Sequence, residues 1–282
     1  MMLPSRRAVF AFVLLATPVR ALAAPSLAAS AWVDGHRSRV RLLDAGRDGG
    51  APLAALEIEL HPGFKTYWRT PGDSGVPPTF DWAASTNVAA VEPLWPAPTR
   101  FEDAGGVSYG YHDRLVLPLR VRLRDAGRPA RLAGAVDYGV CNDICIPARA
   151  EVALDLSGMG APPALVAQAI ARVSTPEAIG GSGPLAILAV APQPGAKLLV
   201  SVRAPQGTTP ALFPEAPDNW YLAVGGMAEA GDAGAARLGT FMVEVAQRPR
   251  DAAGPVDLRF TLAAGERAIE SVLRLDAADL AR

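Results

Sequence analysis

The chain has 282 residues and a formal net charge of −1. Near-neutrality leaves no basic footprint for a nucleic-acid surface. The 27 glycines and 26 prolines favour short strands and turns over long helices. Arginine outnumbers lysine 25 to 2, and alanine is abundant, a bias of GC-rich bacterial genomes.

The N-terminus reads as an export signal. Arg6 and Arg7 precede an apolar run from Ala8 to Thr17, and "ALAAPS" offers a cleavage site after Ala23 or Ala24. The run is too short to span a bilayer. "SRRAVF" is an incomplete twin-arginine match, and no cysteine follows for a lipid anchor. Residues 1–24 are therefore expected to be a signal peptide. The remainder is expected in the bacterial periplasm, without stable membrane insertion, where disulfides persist.

Residues 25–157 alternate in the manner of β-strands: "SRVRLLDA", "APLAALEIEL", "LVLPLRVRLR", "ARLAGAVDYGV" and "AEVALDL". Turns rich in Pro and Gly separate them, "HPGFKTYWRTPGDSGVPP" being the longest. The spacing predicts an antiparallel sandwich. Residues 158–183 read as a linker with a short helix over 163–173, where Leu165, Val166, Ile170 and Val173 share a face. Residues 184–282 return to β runs, from "LAILAVAPQ" to "RAIESVLRLD", and predict a second, smaller sandwich. The predicted fold class is all-β.

Cys141 and Cys145 are the two cysteines of the chain. Four residues of one extended strand would hold their Cα atoms about 13 Å apart, and a disulfide needs roughly 4.4–6.8 Å. A hairpin turning at Asn142-Asp143-Ile144 meets that need, because directly opposite residues lie about 4.5–5.5 Å apart. Pro147 then suits an edge strand or a strand end. Three readings stay open. A structural staple closing so short a loop contributes only about 2 kcal/mol. A redox pair benefits from closeness, one thiol attacking and its neighbour resolving. A metal site would need further ligands, and the chain offers His36, His61 and His112.

"YGVCNDICIPA", "HPGFKTYWRTPGDSGVPP" and "PLWPAPTRFEDAGGVSYGYHDRLVLPLRV" together resemble the N-terminal periplasmic domain of the thiol:disulfide interchange protein DsbD, and more closely its ScsB-like relatives. The resemblance implies immunoglobulin-like sandwiches, two of them in ScsB-like ectodomains. It also implies electron relay from a membrane thiol-disulfide transporter to periplasmic thioredoxin-like proteins, a protein-disulfide reductase component that uses no cofactor and no metal. By position, Cys141 and Cys145 are the catalytic pair, with Cys145 attacking and Cys141 resolving. Glu102 and Asp103 match acidic positions beside the family's disulfide. Tyr67 and Trp68 can pack beside the cysteines or fill the core.

The departures are a gap of only three residues and Ala104-Gly105-Gly106 where the family has a bulky aromatic cap. Phe101, Tyr109 or Tyr111 are the candidates to replace that cap. The chain also lacks a transmembrane conduit and a thioredoxin-like domain. Two rivals remain: an envelope protein-binding module with an inert disulfide, and a copper-stress thiol protein. The latter fits poorly with five methionines and three histidines.

Overall fold

The computed structural model describes residues 28–103, 106–234 and 236–281, with the side chains of Asp103, Ala230, Asp232, Ala233 and Ala281 outside that description. The expected export signal also lies outside it, as do Ala104 and Gly105 of the expected cap.

Eleven strands occupy residues 33–156: β1 (Val33–Gly35), β2 (Ser38–Asp48), β3 (Ala51–Leu60), β4 (Lys65–Gly72), β5 (Thr79–Asp81), β6 (Val88–Pro93), β7 (Thr99–Asp103), β8 (Gly106–His112), β9 (Arg114–Leu123), β10 (Ala130–Cys141) and β11 (Cys145–Leu156). They form two sheets, ordered β1-β2-β3-β9-β6 and β11-β10-β4-β8-β7, with β5 paired to β10. The long hairpins β2–β3 and β10–β11 are antiparallel, as the alternation predicts.

Under the helix the first sheet is buried on both faces. Val40, Leu42, Leu56 and Ile58 point to the core shared with Leu132, Val136 and Val140 of the second sheet. Leu43, Ala45, Leu53 and Ala55, one residue out of phase, pack against Val166 and Ala169 of the helix α1 (Ala164–Ala171). This is why "APLAALEIEL" is almost continuously apolar. The helix lies inside the predicted span 163–173.

The chain then forms β12 (Thr175–Pro176), β13 (Ala186–Gln193), β14 (Lys197–Pro205), β15 (Ala211–Glu215), β16 (Tyr221–Val224), β17 (Ala228–Ala233), β18 (Ala236–Gln247), β19 (Pro255–Ala264) and β20 (Arg267–Asp276). These make two further sheets, β12-β20-β19-β15 and β13-β14-β18-β16, with β17 on β18. Every pairing is antiparallel except the short β12–β20 contact.

Strand β4 corrects the reading of residues 61–78 as a long turn. Its buried side chains include Lys65 and Thr66 beside Tyr67 and Trp68, so it carries no apolar alternation. It pairs with β8 at Lys65↔His112, Thr66↔Tyr111 and Tyr67↔Gly110, and again only at Gly72↔Ser108. The bulged residues 68–71 between those pairs reach the second half of the chain. Trp68 meets Phe213 edge-on at 5.9 Å. Arg69 bridges Glu215 at 2.6 Å and Glu270 at 2.7 Å, and Thr70 donates to Glu215 at 2.8 Å. Burial opposes the charge on Arg69, but hydrogen bonds and attraction from Glu215 and Glu270 more than offset it and raise its pKa.

Candidate functional site

The cysteines owe their meeting to an unbroken register. From Ala130↔Leu156 to Cys141↔Cys145, β10 and β11 pair without a bulge, which leaves Asn142-Asp143-Ile144 as the turn. The two residues are bonded as a disulfide with Cα atoms 4.1 Å apart. Their surroundings differ. Cys141 is fully buried, flanked by Cys145 on one side and by Lys65 of β4 on the other. Cys145 opens the terminal strand of the sheet, has one strand neighbour, and is exposed. Pro147 follows on that edge strand, where no neighbour needs its missing N–H.

Because paired residues share a sheet face, the disulfide lies on the face carrying Lys65, Tyr67, Phe101, Ser108 and His112. Tyr67 is 2% exposed and its hydroxyl lies 3.0 Å from Cys145 Sγ. The disulfide sulfur has no proton, so the phenol donates. The ring is held in a slot between two glycines. A Cβ at Gly75 would sit 2.6 Å from it, and one at Gly139 3.3 Å. Either side chain would push the hydroxyl away from the sulfur.

Lys65, which the sequence reading passed over, is 7% exposed. Its Nζ donates to Ser108 Oγ at 3.0 Å and lies 5.3 Å from the Phe101 ring centre and 5.9 Å from that of Tyr67. The available signal was rarity: a lysine in an arginine-dominated chain, two residues before a tyrosine already singled out.

The other expected site residues separate. Tyr67 reaches the disulfide. Glu102 pairs in register with Val107, out of phase with Phe101; it is 70% exposed and bonds Arg100 at 2.7 Å. Tyr109 lies on the core face, edge-on to Phe213 at 5.2 Å. Its phenol is pushed up to about 12, mainly by burial, with Arg100 lowering it and Asp73 raising it. Strand alternation explains both corrections, since residues one step out of phase face opposite ways. Tyr111 also faces the core and donates to the Pro96 carbonyl at 2.7 Å. Phe101 alone of the three expected cap aromatics shares the disulfide face. The backbone of Asp103 pairs with Gly106, and its side chain lies outside the described set.

Ile144 and Val76 are exposed apolar side chains at the same end of the sheet, 71% and 49% accessible. Among the described residues no three His, Cys, Asp or Glu side chains gather as a metal site, and no helix is long and apolar enough to cross a membrane.

Comparison with known proteins agrees with this geometry. No curated protein sequence matches the chain. The solved N-terminal periplasmic domain of ScsB from Proteus mirabilis superposes with a TM-score of 0.66 at 24% identity, covering 89% of this chain and 99% of that one. A conserved domain protein from Bacillus anthracis aligns over 87% of this chain and 88% of its own, but with a TM-score of 0.20 and 5% identity it carries no structural argument. The profile of the family described as thiol:disulfide interchange protein DsbD, N-terminal, matches residues 39–157, the segment that contains both sheets of the first half and the disulfide. Residues 39–157 of this chain are thus similar to the DsbD N-terminal domain family, and the chain shares the fold of the ScsB periplasmic domain.

Proposed function

We propose that the protein is a periplasmic thiol-disulfide exchange component that passes two electrons to an oxidised partner through Cys141 and Cys145. The observation that carries this reading is the asymmetry of the pair: one cysteine exposed at a hairpin tip, the other buried behind it. In the reduced form the Cys145 thiolate attacks a partner disulfide. A mixed disulfide forms and one partner sulfur leaves as a thiolate. Cys141, held opposite Cys145, then attacks Cys145 Sγ and expels the second partner sulfur. The domain ends oxidised, and the partner gains two electrons and, from the two thiols, two protons.

The partners of this scheme are a membrane thiol-disulfide transporter as reductant and periplasmic thioredoxin-like proteins as acceptors. Export through residues 1–24 would bring the chain to them. Residues 25–157 would act as the redox domain, with 158–183 as linker and 184–282 as a second sandwich that braces it.

Trapping tests the order of attack. In Cys141→Ala the resolving thiol is gone, so the mixed disulfide with an oxidised thioredoxin-like protein should accumulate on a non-reducing gel. In Cys145→Ala no such adduct should form. Accumulation in the second variant instead of the first would reverse the roles, and absence from both would reject the relay.

A further inference from the structure

Lys65 is a buried cation with no part in the exchange scheme. Lysine is among the residues least often fully buried, and in this chain arginine otherwise takes nearly every cationic position. Here the only register partner of β4 on β10 is Lys65↔Cys141, so the lysine backbone is a direct neighbour of the buried cysteine. The ammonium lies on the sulfur-bearing face, 5.9 Å from the centre of the ring whose hydroxyl touches Cys145. Ser108, itself 1% exposed, accepts its hydrogen bond at 3.0 Å, and the Phe101 ring lies 5.3 Å away.

We infer that Lys65 is a positioning residue for the exchange reaction, whose buried charge, acting with the Tyr67 hydroxyl, stabilises the Cys145 thiolate once the disulfide is opened. This rests on the relay reading. The step it assists is the loss of the Cys145 thiol proton to solvent. A cation held in a site of reduced dielectric favours the charged sulfur, and the tyrosine hydroxyl that now donates to the disulfide would donate more strongly to the thiolate. Lysine suits this place because its charge is a compact point on a flexible stem, and an arginine fork would have to fit between two aromatic rings and a serine.

Other charged or titratable groups face the same region. His112 on β8 is the register partner of Lys65 and packs on Phe101 at 4.4 Å between ring centres. Asp143 is exposed in the turn between the cysteines. Arg149 and Asp137, farther along β11 and β10, are paired with each other at 2.6 Å. The carboxylates oppose the effect of Lys65, so the test must isolate the lysine.

In the full chain carrying Cys141→Ala, Cys145 is the one thiol, and its iodoacetamide alkylation rate against pH reports its ionisation. The midpoint should fall below the ordinary thiol value of about 8.5. Adding Lys65→Met should raise it by about one unit, slowing alkylation at pH 7 about tenfold. Lys65→Arg, which keeps the charge but not the fit, should restore part of the loss. A midpoint at or above about 8.5 with Lys65 in place, or a Lys65→Met profile superposing on that of its parent, would overturn the inference. If Lys65→Met does not fold, the parent midpoint alone decides. No partner enters this measurement, so failure of the relay and failure of the lysine role give different results.

Discussion

The two ends of β4 serve opposite purposes. At Lys65 and Tyr67 the strand is regular and its outward face touches the disulfide at Cys145. Beyond Tyr67 the strand bulges, and Trp68, Arg69 and Thr70 turn to the second half of the chain, where carboxylates and an aromatic ring hold them. One strand thus links the disulfide to the anchor of the molecule within five residues. The disulfide sits where one cysteine has a single strand neighbour, and cohesion comes where the Arg69 and Thr70 side chains are tied to carboxylates and Trp68 packs on Phe213.

Substitutions can break this comparison in decreasing order of effect. Cys145→Ala should abolish electron transfer from the dithiothreitol-reduced protein to an oxidised thioredoxin-like acceptor, while leaving the unfolding free energy within about 2 kcal/mol of the parent, because a five-residue loop contributes little chain entropy. Trp68→Ala should do the reverse. Removing this buried ring from its contact with Phe213 should cost about 3–5 kcal/mol in urea unfolding. Gly110→Ala lies between the two ends. Its Cβ would come 2.0 Å from the Thr66 carbonyl, so β4 and β8 must part, at about 2–3 kcal/mol and with slower exchange.

Smaller effects sharpen the picture. Tyr67→Phe removes one hydrogen bond to Cys145, worth about 1 kcal/mol, so the exchange rate should fall about fivefold with the fold unchanged. Glu102→Gln should change that rate less than about twofold, since the side chain pairs with Arg100 on the other face and is largely in water. A large effect of Glu102→Gln measured in the same assay would show that the hairpin β7–β8 rearranges during exchange.

Much of this was legible in the residues. The long hairpins announced themselves by period-two alternation, and the geometry of a Cys-x3-Cys spacing required the turn at 142–144 if the pair was to bond. Strand β4 was not legible, because its two faces carry Lys65 and Tyr67 on one and Thr66 and Trp68 on the other. Neither face is simply apolar, and Pro and Gly flank it. The same gap hid Lys65. Glu102 and Tyr109 were drawn to the site by their nearness in sequence to the expected cap, but pairing with β8 sends residues of odd and even phase to opposite faces. Of the three cap aromatics, only Phe101 falls on the sulfur side.

The central claim is that Cys141–Cys145 is a working redox pair. Its reduction potential, measured by equilibrating the purified protein with glutathione or dithiothreitol buffers, tests this most directly. The account predicts a value between roughly −270 and −120 mV, the span of known exchange catalysts. A value below about −300 mV would mark a structural disulfide and contradict it.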